Sequence, residues 1–143
     1  MTAQAPGPDD LVDALAQVAF DTMAVLTKVS ADNDLSLTQL RVLAILRDRR
    51  LTMRALADYL GLEKSTMTGL VDRAEKRGLL QRAPNDRDGR AVDVFLTPAG
   101  AKLAAWGADQ IRKALIPMTS QLSQPDQRRL QDLLTRMLAP RQP

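Results

Sequence analysis

At 143 residues, 45% of them hydrophobic and 26% charged, the chain can bury one well-formed core but is too short for two ordinary domains; its composition excludes both a disordered polymer and a membrane-embedded protein. It has neither Cys nor His, which removes disulfides, thiol chemistry, Cys or His metal sites and His-dependent general-base catalysis, and its 17 acidic residues are too dispersed to form a catalytic or metal-binding cluster. No enzyme, metal or other cofactor is expected, whereas the charge distribution, −5 over residues 1–40, +5 over 41–90 and +3 over 91–143, marks the middle of the chain as a segment suited to a polyanion.

The opening MTAQAPGPDD lacks the basic start and apolar block of a signal peptide, and no apolar run reaches the roughly 18 residues needed to span a bilayer. A cytoplasmic protein with no membrane partner is expected. Residues 1–8 hold two Pro, a Gly and small polar residues and are expected to be disordered. From Asp9 or Asp10, Leu11, Leu15, Val18, Thr22, Leu26 and Val29 recur at helical spacing, with Val12, Ala19 and Met23 widening the stripe. A face this broad on a terminal helix suits the core plus a second subunit.

Ser36 and Gln39 form a capping-box pattern ahead of Leu40, Leu43 and Ala44, predicting a second helix from about Leu37 to Arg49. Thr52 is a candidate N-cap for a helix over Met53–Leu60 that Gly61 stops, and a further helix is predicted from about Glu63 to Arg77, ended by Gly78. Next, Leu79–Arg82 and Ala91–Leu96 read as a two-stranded hairpin, in which Val92, Val94 and Leu96 alternate with Asp93 and Phe95. Thr97 and Pro98 open a long helix bearing Leu103, Trp106, Ile111, Leu115 and Ile116, which Pro117 kinks or ends. Ser123 and Asp126 suggest a second capping box before Leu130, Leu133, Leu134, Met137 and Leu138 on the last helix.

Within LADYLGLEKSTMTGLVDRAEKRG, Ala57 occupies the close approach of two helices, Gly61 allows the turn and Met67 anchors the second helix. These spacings fit a helix-turn-helix, whose second helix enters the major groove of DNA. Met67, Leu70, Val71 and Ala74 form its inward stripe, leaving Lys64, Ser65, Thr66, Thr68, Gly69, Asp72 and Arg73 on other faces. Hydroxyls and cations there suit base edges and phosphates, and Gly69 permits close approach. Ser65 and Thr66 also suit simple helix capping. In the hairpin tip, Asn85-Asp86-Arg87-Asp88-Gly89-Arg90, a basic side chain could enter the minor groove, with Asp88 fixing Arg90 through a charge-assisted hydrogen bond.

From Leu37 to Gly100, through LTQLRVLAIL, STMT, EKRGLL, the Asp88-x-Arg90 pair and LTPAG, the chain resembles the MarR family of winged-helix transcriptional regulators. The resemblance implies a mainly α fold with a small β-hairpin wing, in which residues 9–143 form one domain. Its winged helix-turn-helix would span about 37–97, flanked by dimerisation helices over about 9–30 and 98–139. It further implies a homodimer reading a pseudo-palindromic double-stranded DNA operator, most often as a repressor, and relieved by small aromatic or anionic ligands. Carried over by residue, Ser65, Thr66 and Thr68 align with groove-reading positions, Arg73 with a base or phosphate contact, and Asp88 and Arg90 with the wing pair. Lys64, Gly69 and Arg87 complete the candidate DNA-binding set. Where many members carry a second Arg in the wing motif, this chain has Gly89, so its wing either grips less or relies on Arg87. No residue set identifies a ligand, although a crevice is expected between the first helix, the second helix and the start of the fifth. The competing reading is a winged-helix protein-interaction module that never meets DNA.

Overall fold

The computed structural model describes residue 5 and residues 7–140. Helix α1 spans Pro8–Ala31, so of the tail expected over 1–8, residues 1–4 and 6 lie outside the described residues and Pro8 already opens the helix. The Asp10 carboxylate accepts from the Gly7 N–H at 3.0 Å, and the acidic first turn complements the helix dipole. Helix α2, Leu37–Ile45, begins with the predicted capping box: Ser36 Oγ accepts from the Gln39 N–H and Gln39 Oε1 from the Ser36 N–H. It stops four residues short of the predicted Arg49, and the chain turns through Leu46–Arg50 into an unpredicted strand, β1, at Leu51–Thr52.

Thr52 caps α3, Met53–Leu60, by accepting from the Ala55 N–H, and Gly61 ends it in the left-handed conformation at φ 65°. Helix α4 spans Lys64–Lys76, β2 Leu80–Pro84 and β3 Val92–Leu96. The expected two-stranded hairpin is thus part of a three-stranded antiparallel sheet of order β1-β3-β2, with Leu51 opposite Val94 and Arg82 opposite Val94 on the other side. Pairing with β1 also alters the predicted alternation: Val94 is fully buried and Asp93 only 9% exposed, while Val92, beyond the end of β1, is 40% exposed.

Helix α5, Pro98–Thr119, continues two residues past Pro117, and α6 spans Gln124–Leu138. Ser123 caps α6 by accepting from the Asp126 N–H at 3.3 Å; only this half of the predicted capping box forms. The core gathers Val42 from α2, Leu56 from α3, Met67 and Val71 from α4, Leu80 from β2 and Val94 from β3. Helices α1 and α2 both pack on α5, and α6 buries none of its own residues.

The junction of α4, the sheet and α5 is tightly constrained. Gly78, at φ 72°, lets the chain leave α4 for β2. The Thr97 hydroxyl then donates to the Gly78 carbonyl, its backbone N–H donates to the Leu79 carbonyl at 3.1 Å, and the same Oγ accepts from the Gly100 N–H. A Cβ on Gly100 would lie 2.0 Å from the Leu79 carbonyl oxygen, so only glycine allows this crossing. The motifs around Gly78 and LTPAG are two sides of one joint.

Candidate nucleic-acid interface

Helix α4 turns Met67, Leu70, Val71 and Ala74 into the core, as the three-four spacing predicts. Its opposite ridge follows from the same periodicity: Ser65, Gly69, Asp72 and Lys76 recur at i, i+4, i+7 and i+11. Lys64, Ser65, Thr66 and Arg73 are exposed, and Thr68 and Gly69 half-buried. The N-cap is Glu63, which makes no side-chain capping bond. Ser65 and Thr66 therefore sit inside the first turn and do not cap it, and neither hydroxyl is engaged among the described residues. Thr68 donates its hydroxyl proton to the Lys64 carbonyl at 2.9 Å and keeps its lone pairs. The Arg73 guanidinium folds back along the ridge, so that a Cβ on Gly69 would lie 3.3 Å from its Nη1. Helix start, free hydroxyls and cations thus converge on one surface suited to anionic oxygens.

Asp72 would spoil that surface if left alone, because a carboxylate in the middle of the ridge repels phosphate. Arg82 on β2 answers it, with Nη2 on the Asp72 carboxylate and Nε 2.7 Å from Glu75 Oε2. The Asp72 hydrogen bond, with Glu75 behind it, holds the Arg82 guanidinium above its ordinary pKa. Sequence reading missed this residue because its partners lie seven and ten positions back on another element. Arg77 is similarly committed, donating to the Asn33 and Asp34 carbonyls at 2.9 and 2.8 Å and so fixing the α1–α2 turn. Lys64, Arg73, Arg87 and Arg90 form no ion pair among the described residues.

The β2–β3 loop carries Arg87, Asp88, Gly89 and Arg90, all exposed. Asp88 does brace Arg90, but through the backbone: its Oδ1 accepts from the Arg90 N–H at 3.0 Å. The expected bond to the guanidinium is absent among the described residues, which leaves that group free to reach outward. Inside the loop, Asn85 Oδ1 accepts from the N–H groups of Arg87 and Asp88 at 2.9 and 3.0 Å, an Asx turn that curls the tip. Arg82 ties β2, the strand that leads to the tip, to the ridge of α4.

Among α1, α2 and α5, where a crevice is expected, Gly107 packs near Leu40 and Val29: an added Cβ would lie 3.5 Å from Leu40 Cδ1 and 3.9 Å from Val29 Cγ1. A larger cavity, about 620 Å³, lies between the end of α5 and α6, lined by Leu122, Gln127, Leu130, Gln131 and Leu134 among others. No described helix is long and apolar enough to cross a membrane.

Comparison with known proteins agrees with this geometry. Residues 33–91, which hold α2 through the wing loop, match the MarR family. A crystal structure of a cysteine-to-serine mutant of MarR from E. coli complexed with operator DNA superposes with a TM-score of 0.70 at 25% identity, covering 90% of this chain and 93% of that one. Over residues 33–91 the chain is thus identified with the MarR family. A probable transcriptional regulator from Pseudomonas aeruginosa is 29% identical, with a TM-score of 0.70 over 91% of this chain and 98% of that one. The transcriptional repressor NicR of Pseudomonas putida is 31% identical over 102 residues, 71% of this chain and 60% of NicR. The chain spans 44 to 60% of the length of the curated relatives it matches. The segment that matches the MarR family carries both the α4 ridge and the wing loop.

Proposed function

We propose that this MarR-family protein is a homodimeric, sequence-specific regulator of transcription that binds double-stranded DNA. The observation that carries this reading is the α4 ridge with its free hydroxyls and cations, tied through Arg82 to the strand that leads to the exposed, cation-bearing wing tip. Lys64, Ser65, Thr66, Thr68, Gly69 and Arg73 would enter the major groove, while Arg87 and Arg90, the latter braced by Asp88, would reach the adjacent minor groove. Arg82 supports the reading, since neutralising Asp72 and Glu75 has an evident use on a surface that meets phosphate.

Dimerisation is supported by apolar surface that one chain leaves uncovered. On α1, Leu11, Val12 and Phe20 are 69, 62 and 76% exposed; α6 presents Leu130, Leu133, Leu134, Met137 and Leu138. Monomers rarely expose so much contiguous apolar area, so residues 9–30 and 98–139 are assigned to the dimer and about 37–97 to DNA. A two-fold pair would place its recognition helices about 34 to 36 Å apart, in successive major grooves.

Action as a repressor is in line with the similarity to NicR, a transcriptional repressor. Relief by a small aromatic or anionic effector would require a shift in that spacing. With Leu40 and Val29 packed near Gly107, such a ligand would act by parting α2 from α5 or by using a pocket completed by the second chain. Calorimetry with aromatic acids, with and without operator, tests this part: linkage demands weaker ligand binding in the presence of DNA, and equal affinity removes the claim. The DNA reading is tested by recovering genomic fragments bound to the purified protein. A shared pseudo-palindrome with half-sites one helical turn apart is expected. Recovery of unrelated sequences in proportion to their abundance would favour a protein-interaction module instead.

A further inference from the structure

A buried carboxylate in the wing has no part in the interface described above. Asp93 on β3 is 9% exposed, and its Oδ1 accepts from Asn85 Nδ2 at 2.8 Å. Its Oδ2 lies 3.8 Å from Arg50 Nε, and that guanidinium stacks over the Phe95 ring, 4.0 Å from its centroid. Asn85 spends its other side-chain atom on the N–H groups of Arg87 and Asp88. Asp88 Oδ1 then takes the Arg90 N–H, and the loop closes with Asn85 N–H to the Ala91 carbonyl and Ala91 N–H to the Asp88 carbonyl, both at 3.0 Å. A single chain of polar contacts therefore runs from the α2–β1 connection to the backbone N–H groups of the two arginines of the tip.

We propose that Asp93 is the positioning residue of the wing: through Asn85 it fixes the loop that aims Arg87 and Arg90 at the DNA backbone or minor groove. The carboxylate is suited to this because an ionised acceptor holds an amide donor more firmly than a neutral one does. Held at Nδ2, the Asn85 amide cannot flip, and its oxygen stays directed at the two backbone N–H groups. Arg50, pinned on Phe95, supplies the countercharge from the side away from the tip, because β1 pairs with β3 on the edge opposite β2. The proposal rests on the DNA-binding reading for its consequence, although the polar relay itself does not.

The test exchanges the two partners. Asn85→Asp alone sets two carboxylates against each other and should weaken operator binding roughly tenfold, the scale of one lost hydrogen bond to a charged group. The salt slope should fall by about one phosphate equivalent as the tip cations lose their aim. Combining Asn85→Asp with Asp93→Asn restores a donor facing an acceptor and keeps an oxygen for the Arg87 and Asp88 N–H groups; affinity and slope should return to within about threefold of wild type. Wild-type binding by Asn85→Asp, or a double variant no better than the single, overturns the proposal. Should Asn85→Asp fail to fold, Asn85→Ala takes its place as the weak-binding variant. Amide exchange at Arg87, Asp88 and Arg90 separates the two readings: faster exchange in Asp93→Ala supports the relay even in a protein that binds no DNA, and unchanged exchange refutes it. A wild-type protein that ignores DNA refutes the functional reading alone.

Discussion

Arg82 and Gly89 show how individual residues set the charge that the interface presents. Arg82→Ala should uncover Asp72 and Glu75 beside the groove-facing ridge and weaken DNA binding by about 1 to 2 kcal/mol, as unpaired like charges do at a charged interface. Adding Asp72→Asn to that variant should recover part of the loss; fluorescence anisotropy on one operator duplex measures both, and no recovery would mean that Arg82 acts by some other route. Gly89 has open space where a Cβ would sit. Gly89→Arg should therefore be tolerated, should tighten binding several-fold and should steepen the salt dependence by about one phosphate equivalent. An unchanged slope would place the wing tip away from DNA. The inward residues of α4 are legible from periodicity alone, because Met67, Leu70, Val71 and Ala74 lie close in sequence and share one face. Arg82 and Asp93 are not, because their partners arrive from other elements and local spacing carries no trace of them.

At the level of elements, the helices follow from caps and stripes, and their differences from expectation have local causes. The α2 helix ends at Ile45 because Leu46–Arg50 must turn to deliver β1 to the sheet. A two-residue strand has no alternation to detect, so the third strand, and with it the burial of Asp93, is hidden from a reading of the sequence. The Thr97–Gly100 joint is different, since its motif is plain there and its reason is not. With a Cβ 2.0 Å from the Leu79 carbonyl oxygen, Gly100→Ala must push α5 away from the start of β2. Backbone on one side and helix on the other leave little room to relax, so a loss of about 3 kcal/mol is expected from chemical denaturation. A loss under about 0.5 kcal/mol would show the joint to be pliable.

For the whole molecule, the account depends on a second copy. Helix α6 buries nothing in its own chain, exposes Leu130, Leu133, Leu134, Met137 and Leu138, and borders a cavity of about 620 Å³. Sedimentation at micromolar concentration should show a dimer, with a total buried area above roughly 2,000 Å² as obligate homodimers have. Leu134→Asp should dissociate or unfold it, by placing a charge where the interface is apolar. A folded monomer for the wild-type chain would remove the two-fold arrangement and the half-site spacing with it.

We propose that the α4 ridge and the wing together form a phosphate-contacting DNA surface. Its most direct test is the affinity of wild type and Arg90→Ala for one duplex across a salt series. Log affinity should fall linearly and steeply with log salt for wild type, and Arg90→Ala should bind more weakly by about 1 to 3 kcal/mol with a slope lower by about one. Salt-independent binding, or identical lines for the two proteins, would contradict it.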